Sequence, residues 1–250
     1  MAEEAQDPRA AACAFAGRMA EAWSATLGPR LLGVYLIGSL AHGGFTARYS
    51  DIDVAVIAGD GLRPDELEAM RARATADSRA LAQKLSIFWA DRAFSHGRFP
   101  PLDRVDYVDH AVPLVEHERV RPARPSRAEI RDYLRGQPFD AWTEQVRRFS
   151  TASALEPADH KPYVRALLYP ARLLYSWATG AMASNDVAVA YLSRRPFAGL
   201  DFGLVARALG CRRAGRDPDY LFPERAILVR QHAACAAAIG VQTASTGPAR

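Results

Sequence analysis

The chain has 250 residues, 49% of them hydrophobic and 24% charged, with 32 basic against 28 acidic side chains. That is enough apolar chain to bury a core, which excludes a disordered chain, and no apolar run reaches the ~18 residues of a membrane-spanning helix. A net charge of +4 without a clustered basic patch argues against a nucleic-acid partner. Only Lys84 and Lys161 are lysines, so arginine carries almost all of the positive charge. The cysteines Cys13, Cys211 and Cys235 are odd in number and far apart, a pattern of buried small side chains rather than of disulfides or a zinc site. The acidic start, from Met1 to Asp7, lacks the basic stretch and apolar run of a secretory signal, so the expected compartment is the cytoplasm and no membrane partner is expected.

Residues 10–27 read as a helix, with Phe15, Met19 and Trp23 four apart on one face and Gly28-Pro29 as its stop. Residues 31–37 form a short apolar run that fits a buried strand, broken by Gly38-Ser39. Residues 50–57 make a second strand with carboxylates at its head, residues 64–84 a helix, and residues 85–90 a third strand. Arg98-Phe99-Pro100-Pro101 reads as loop, and Val112 to Val115 as a further strand. Pro122 and Pro125 mark a boundary between an α/β domain over 1–122 and an all-α domain over 123–250. The latter carries helical patterns over 126–135, 139–153, 163–180, 184–193, 202–209 and 223–239, the first opened by the Ser126/Glu129 capping pattern. Trp142, Phe149, Tyr163, Leu167, Leu174 and Trp177 form a helical core stripe, and Arg212, Arg213 and Arg216 read as a solvated loop. The expected class is α+β: a mixed sheet flanked by helices, then a helical bundle.

The chemistry concentrates between residues 36 and 53. Asp51 and Asp53 are two apart on a strand, and strand side chains alternate, so both carboxylates point to one face. Carboxylates side by side repel unless a cation lies between them. Mg²⁺ is held through one or two carboxylates together with substrate phosphates. Upstream, Gly38 lets a phosphate approach the backbone and Ser39 adds a hydroxyl donor. The sequence has neither a Walker lysine motif nor a dinucleotide glycine fingerprint. A Gly-Ser turn or an Asp-x-Asp strand end is common in isolation; in this order, between two apolar strands and with Ser50 before the first Asp, they point to a metal–nucleoside triphosphate.

Gly38-Ser39, a short spacer and Asp51-Ile52-Asp53 resemble the signature of the nucleotidyltransferase superfamily related to DNA polymerase β. Within it, Val34 to Ile57 resembles the aminoglycoside adenylyltransferases that modify streptomycin and spectinomycin. Arg98 to Leu102 is similar to their loop after the third strand, and Pro170 to Trp177, Thr179-Gly180 and Asn185 to Ala188 to their helical C-terminal domain. The resemblance implies transfer of a nucleoside monophosphate, AMP from Mg²⁺-ATP, to a hydroxyl of a small-molecule acceptor such as an aminoglycoside. It implies that Asp51 and Asp53 bind metal and act in catalysis, that Gly38, Ser39 and Ser50 lie near the triphosphate, that Arg195 and Arg207 are cations on the nucleotide, and that Asp186 and His110 contact the acceptor. The family's third carboxylate, its general base, aligns with Ser86, which cannot accept a proton near neutral pH. Asp91, Asp106, Asp109 and His110 are the other candidates for that role. Two rival readings therefore stay open: a transferase acting on a protein or RNA acceptor, as in toxin–antitoxin pairs, and a non-catalytic nucleotide-binding protein that has lost the base.

Overall fold

The computed structural model describes residues 7–242, which divide into two compact units at Pro125–Ser126. The architecture is α+β: a mixed five-stranded sheet with helices in the first unit, helices alone in the second. None of the described helices is long and apolar enough to cross a membrane.

The first unit opens with α1 (Pro8–Leu27), capped by the Asp7 carboxylate, which accepts the Arg9 N–H at 3.0 Å. Strand β1 (Leu31–Leu36) leads into the single helical turn α2 (Gly38–Ala41), then β2 (Ile52–Ala58). Residues 64–84 do not form the one helix expected. Ser78 is extended at φ −157° and caps a new start, so the segment splits into α3 (Pro64–Asp77) and α4 (Arg79–Ala82). Strand β3 (Leu85–Ala90) and the two-residue β4 (Gly97–Arg98) follow, then α5 (Pro101–His110) and β5 (Val112–Glu116). Helix α5 corrects the loop expected near Pro100-Pro101: Pro101 takes the first helical turn, where a missing N–H costs nothing.

The strand order is β4-β3-β2-β1-β5, with β2 and β3 parallel and the other pairs antiparallel. The sheet has apolar packing on both faces. Val34, Leu36, Ile52, Val54, Val56 and Ile87 face a core shared with α1 and α3. Tyr35, Ile37, Ala55, Ile57 and Ala90 face the other side, where Tyr107 brings α5 down onto the sheet. By alternation Asp53 belongs to this second face.

The second unit comprises α6 (Arg127–Arg135), α7 (Gln137–Thr151), α8 (His160–Thr179), α9 (Asn185–Ser193), α10 (Phe202–Ala214) and α11 (Ile227–Ile239). The Ser126 capping box closes as expected: Ser126 Oγ accepts the Glu129 N–H, and Glu129 accepts the Ser126 N–H at 2.8 Å. Helix α8 packs against each of the other helices named here, and Arg165 is its one exposed residue. Trp142, Phe149, Tyr163, Leu167 and Leu174 are buried as the stripe requires, whereas Trp177 is half-buried beneath the guanidinium groups of Arg131 and Arg135. Arg212 and Arg213 lie in the last turn of α10 rather than in a loop, and Arg212 is buried.

Pro170 sits inside α8 and cannot donate to the carbonyl of Ala166, one turn back. Trp142 of α7 supplies the missing donor, its Nε1–H reaching that oxygen at 3.1 Å, and its ring stacks on Tyr169 at 4.7 Å. Trp142→Phe keeps an aromatic ring but strands this carbonyl. We expect it to cost about 1–3 kcal/mol, read as a lowered urea midpoint. Pro170→Ala restores the helical donor, and in that background the Trp142→Phe penalty should shrink; equal penalties in both backgrounds would refute the assignment.

Candidate active site

The geometry begins where β1 ends. The Ile37 N–H donates to the Asp53 carbonyl at 3.1 Å, the last tie between β1 and β2. Gly38 then takes φ +65°, a conformation that favours glycine. Space makes the same demand: a Cβ on Gly38 would lie 2.4 Å from Asp53 Oδ2 and 3.1 Å from Asp53 Cβ. The Gly-Ser turn is therefore laid directly on the second carboxylate of the Asp-x-Asp pair. Ser39 Oγ is buried and has no hydrogen-bond partner among the described residues, an uncommon state for a hydroxyl.

Asp51 immediately precedes β2 and Asp53 is its second residue, so alternation sends both side chains to one face. In the parallel register Asp53 pairs with Ser86, which places the serine beside the acidic pair on the neighbouring strand. Ser50 is buried; its N–H donates to the Thr46 carbonyl and its hydroxyl accepts the Thr46 N–H, each at 2.9 Å. Its hydroxyl thus closes the loop that delivers Asp51.

Helix α5 contributes a residue on the same side of the sheet. Asp106 is only 2% exposed. Its Oδ2 accepts the Gly38 N–H at 2.7 Å, and its Oδ1 is hydrogen-bonded to His42 Nε2. His110, one turn further along α5, sets its ring against that of His42, with centroids 4.7 Å apart and planes at 68°. Gly38, Ser39, Asp53, Ser86, Asp106, His42 and His110 are thereby linked at one end of the sheet. From sequence alone His42, close after the Gly-Ser turn, reads as a capping or exposed histidine before it reads as a phosphate contact; the structure instead sets its largely buried ring against Asp106. Asp106 stands out from sequence only as one of several candidates, since it follows the Arg98–Pro101 loop in a stretch to which the sequence pattern assigns no element.

The remaining acids are engaged elsewhere. Asp109 forms a two-pronged pair with Arg124, with contacts of 3.0 and 2.8 Å. Asp91 lies past the far end of β3 and accepts from the Ser95 hydroxyl at 2.6 Å, the Ser95 N–H at 2.8 Å and the His96 ring at 3.2 Å. In the second unit Asp186, on α9, pairs with Arg213 of α10 at 2.6 Å. Arg207 pairs with Glu224 at 2.6 Å, and Arg195 bonds to the Tyr191 hydroxyl while lying over its ring. Each polar residue expected to meet nucleotide or acceptor in this unit thus already has a partner.

No protein-family model matches the sequence, and no curated protein matches it. Solved structures do match. The spectinomycin adenyltransferase AAD(9) from Enterococcus faecialis, crystallised with ATP and spectinomycin, aligns over 87% of this chain and 97% of its own with a TM-score of 0.64 and 12% identity. A mutant of the toxin–antitoxin pair MntA-HpeT aligns over 40% of this chain and 73% of its own, with a TM-score of 0.31 and 20% identity. The first likeness, at its low identity, establishes the fold: this chain has the nucleotidyltransferase fold followed by a helical unit.

Two expectations follow from the geometry. Gly38→Ala forces a Cβ into the Asp53 carboxylate and strains the turn; it should cost at least about 1 kcal/mol and displace Asp53, visible as altered backbone amide resonances from 51 to 54. Unmoved resonances and an unchanged unfolding midpoint would refute the close approach. The Ser95 hydroxyl, then the His96 ring and the local N–H groups, hold the Asp91 carboxyl well below its ordinary range. A depressed carboxyl stabilises the fold above its unfolded value of about 4, and that contribution is lost as pH falls below it. Asp91→Asn should therefore lower stability at pH 6 and narrow the difference between pH 6 and pH 3; parallel pH curves would contradict this.

Proposed function

We propose that the protein is a metal-dependent nucleotidyltransferase that moves AMP from ATP to a hydroxyl of a small cationic acceptor of the aminoglycoside type, and that it works in the cytoplasm. The observation that carries this reading is the Gly38-Ser39 turn laid on Asp53, with a buried serine hydroxyl that has no hydrogen-bond partner among the described residues. The donor set suits Mg²⁺: two hard carboxylates on one face of the strand end. Asp51 and Asp53 would hold the ion, which when bound offsets negative charge on the phosphates and the departing pyrophosphate.

The rest of the work falls to the chain. Ser39 Oγ, already desolvated, would donate to a phosphate oxygen, with Gly38 shaping the turn that presents it while its own N–H is held by Asp106. Ser50 would support phosphate binding by fixing the approach of Asp51. The acceptor hydroxyl attacks the α-phosphorus, its proton goes to a base, and the bond to pyrophosphate breaks. Asp186 and His110 would read the acceptor, with Arg195 and Arg207 on the nucleotide; Asp186 and Arg207 must first exchange their present arginine and glutamate partners. AAD(9), of the same fold and crystallised with ATP and spectinomycin, supports both substrates as the first to test.

Ser86 beside Asp53 favours one second reading, a nucleotide-binding protein that does not transfer, because serine cannot serve as the base. A panel separates the two. Labelled ATP and Mg²⁺ are offered with streptomycin, spectinomycin, proteins and RNAs. Label on a small acceptor supports the first reading; tight Mg²⁺-ATP binding with no label on any acceptor supports the second; label on protein or RNA alone moves the acceptor class.

Asp51→Asn and Asp53→Asn keep shape and remove charge. Each should weaken Mg²⁺-dependent ATP binding by at least about tenfold and abolish transfer, while the fold survives because carboxylate repulsion is relieved. Calorimetry showing wild-type Mg²⁺-ATP affinity in both variants would overturn the site.

A further inference from the structure

Among the described residues, two clusters bring three or more metal-ligating side chains within reach of one ion. One is His160 with Asp217 and Asp219. Its single imidazole lies between two exposed carboxylates, at 3.0 and 3.6 Å, a bridging arrangement that fastens the segment after α10 to the start of α8. The other is His42, Asp106 and His110, whose donor atoms lie within 4.8 Å of one another. The chemistry of this second set differs from that of the Asp51–Asp53 pair. Two imidazoles and one carboxylate suit a borderline ion such as Zn²⁺, whereas Mg²⁺ prefers oxygen.

We propose that His42, Asp106 and His110 form a binding site for a divalent transition-metal ion of the zinc type, separate from the acidic pair. Three features of the fold support it. Asp106 and His110 are four apart on α5, so the helix itself stacks both donors on one face. They lie in its last two turns, where the carbonyl ends of the helix favour a cation. The carboxylate is also oriented from behind, because Asp106 Oδ2 is held by the Gly38 N–H at 2.7 Å; a hydrogen bond of this kind fixes a ligating carboxylate and is part of a working metal site. His42 Nε2 and Asp106 Oδ1 already face each other in a hydrogen bond, so an ion bound between them takes the place of that bond. Three protein ligands leave a fourth position of a tetrahedral ion to water. Through Asp106 the site reports directly on the Gly38-Ser39 turn.

The test uses the full chain, stripped with chelator and titrated with ZnCl₂ in the presence of excess Mg²⁺, which competes for sites made of carboxylates alone. One zinc per chain is expected by calorimetry. Co²⁺ substitution should give the intense visible absorption of a four-coordinate ion. His110→Ala removes an exposed side chain from the end of α5 and leaves the core untouched; it should lower zinc affinity by about tenfold or more and remove the cobalt spectrum. His42→Ala should do the same, while Asp51→Asn and His160→Ala keep wild-type zinc affinity. Failure of the wild type to take up zinc, retention of affinity in His110→Ala, or its loss in Asp51→Asn or His160→Ala would each overturn the assignment. None of these readouts uses transfer activity, so the site stands or falls independently of the proposed reaction.

Discussion

A carboxylate removed from water costs several kcal/mol unless strong hydrogen bonds take the place of its hydration. Asp106 is such a group, and its two oxygens answer that demand with the backbone N–H of Gly38 and the ring of His42. Satisfying the carboxylate thus fixes the point at which the chain leaves β1. It ties α5 to that point, holds Gly38 in its left-handed conformation, and leaves the following residue, Ser39, with a buried hydroxyl that meets no partner among the described residues. A shift of the turn by even an ångström would break the Asp106 contact, and any side chain at 38 would strike Asp53. The arrangement is over-determined from two sides: a hydrogen bond from the helix side and van der Waals contact from the strand side.

The sheet explains why those two sides meet. Because β1 runs antiparallel to β2, the C-terminal end of β1 lies beside the N-terminal end of β2, where Asp51 and Asp53 stand. Because β2 and β3 run parallel, the N-terminal end of β3 and its Ser86 lie there too. Period-two alternation then sends Asp53 and Ser86 to the face that receives α5, where Tyr107 packs against Tyr35, Ile57 and Ala90. Burial of that tyrosine and of Val105 seats the helix; Asp106 between them is carried to Gly38 by the same packing. Hydrophobic seating and polar positioning are adjacent residues of one helix.

Local patterns made much of this legible. The apolar runs at 31–36 and 85–90 are strands because they carry little else, and Asp51-x-Asp53 reports its own geometry through alternation. The Ser126 box declared its helix. What stayed hidden depends on tertiary context. Pro100-Pro101 looks like punctuation, yet the second proline begins a helix, and with it Asp106 and His110 acquire a common face. His42 becomes informative only when α5 sets a carboxylate against it. Pro170 should break α8, and it does not because a tryptophan 24 residues before the stranded carbonyl in sequence, but adjacent in space, donates to it. Arg213 read as solvated surface, and the fold turns it onto Asp186.

That last pairing bears on how an acceptor would be read. Asp186 was singled out as an anion for cationic ligands, and in the second unit it already holds a cation, contributed by α10. An exposed pair of this kind contributes little to stability, typically below about 1 kcal/mol. It is therefore cheap to exchange: a ligand amine can replace the guanidinium without a large penalty, and Arg213 is then free to return to water or to meet an anion. The same holds for Arg207 and Glu224. Neither pair is a structural necessity, in contrast to the Asp106 contacts, which are buried and cannot be opened without leaving a desolvated charge. The fold thus places its buried polar contacts at the turn that faces Asp53 and its exchangeable ones on the helices of the second unit.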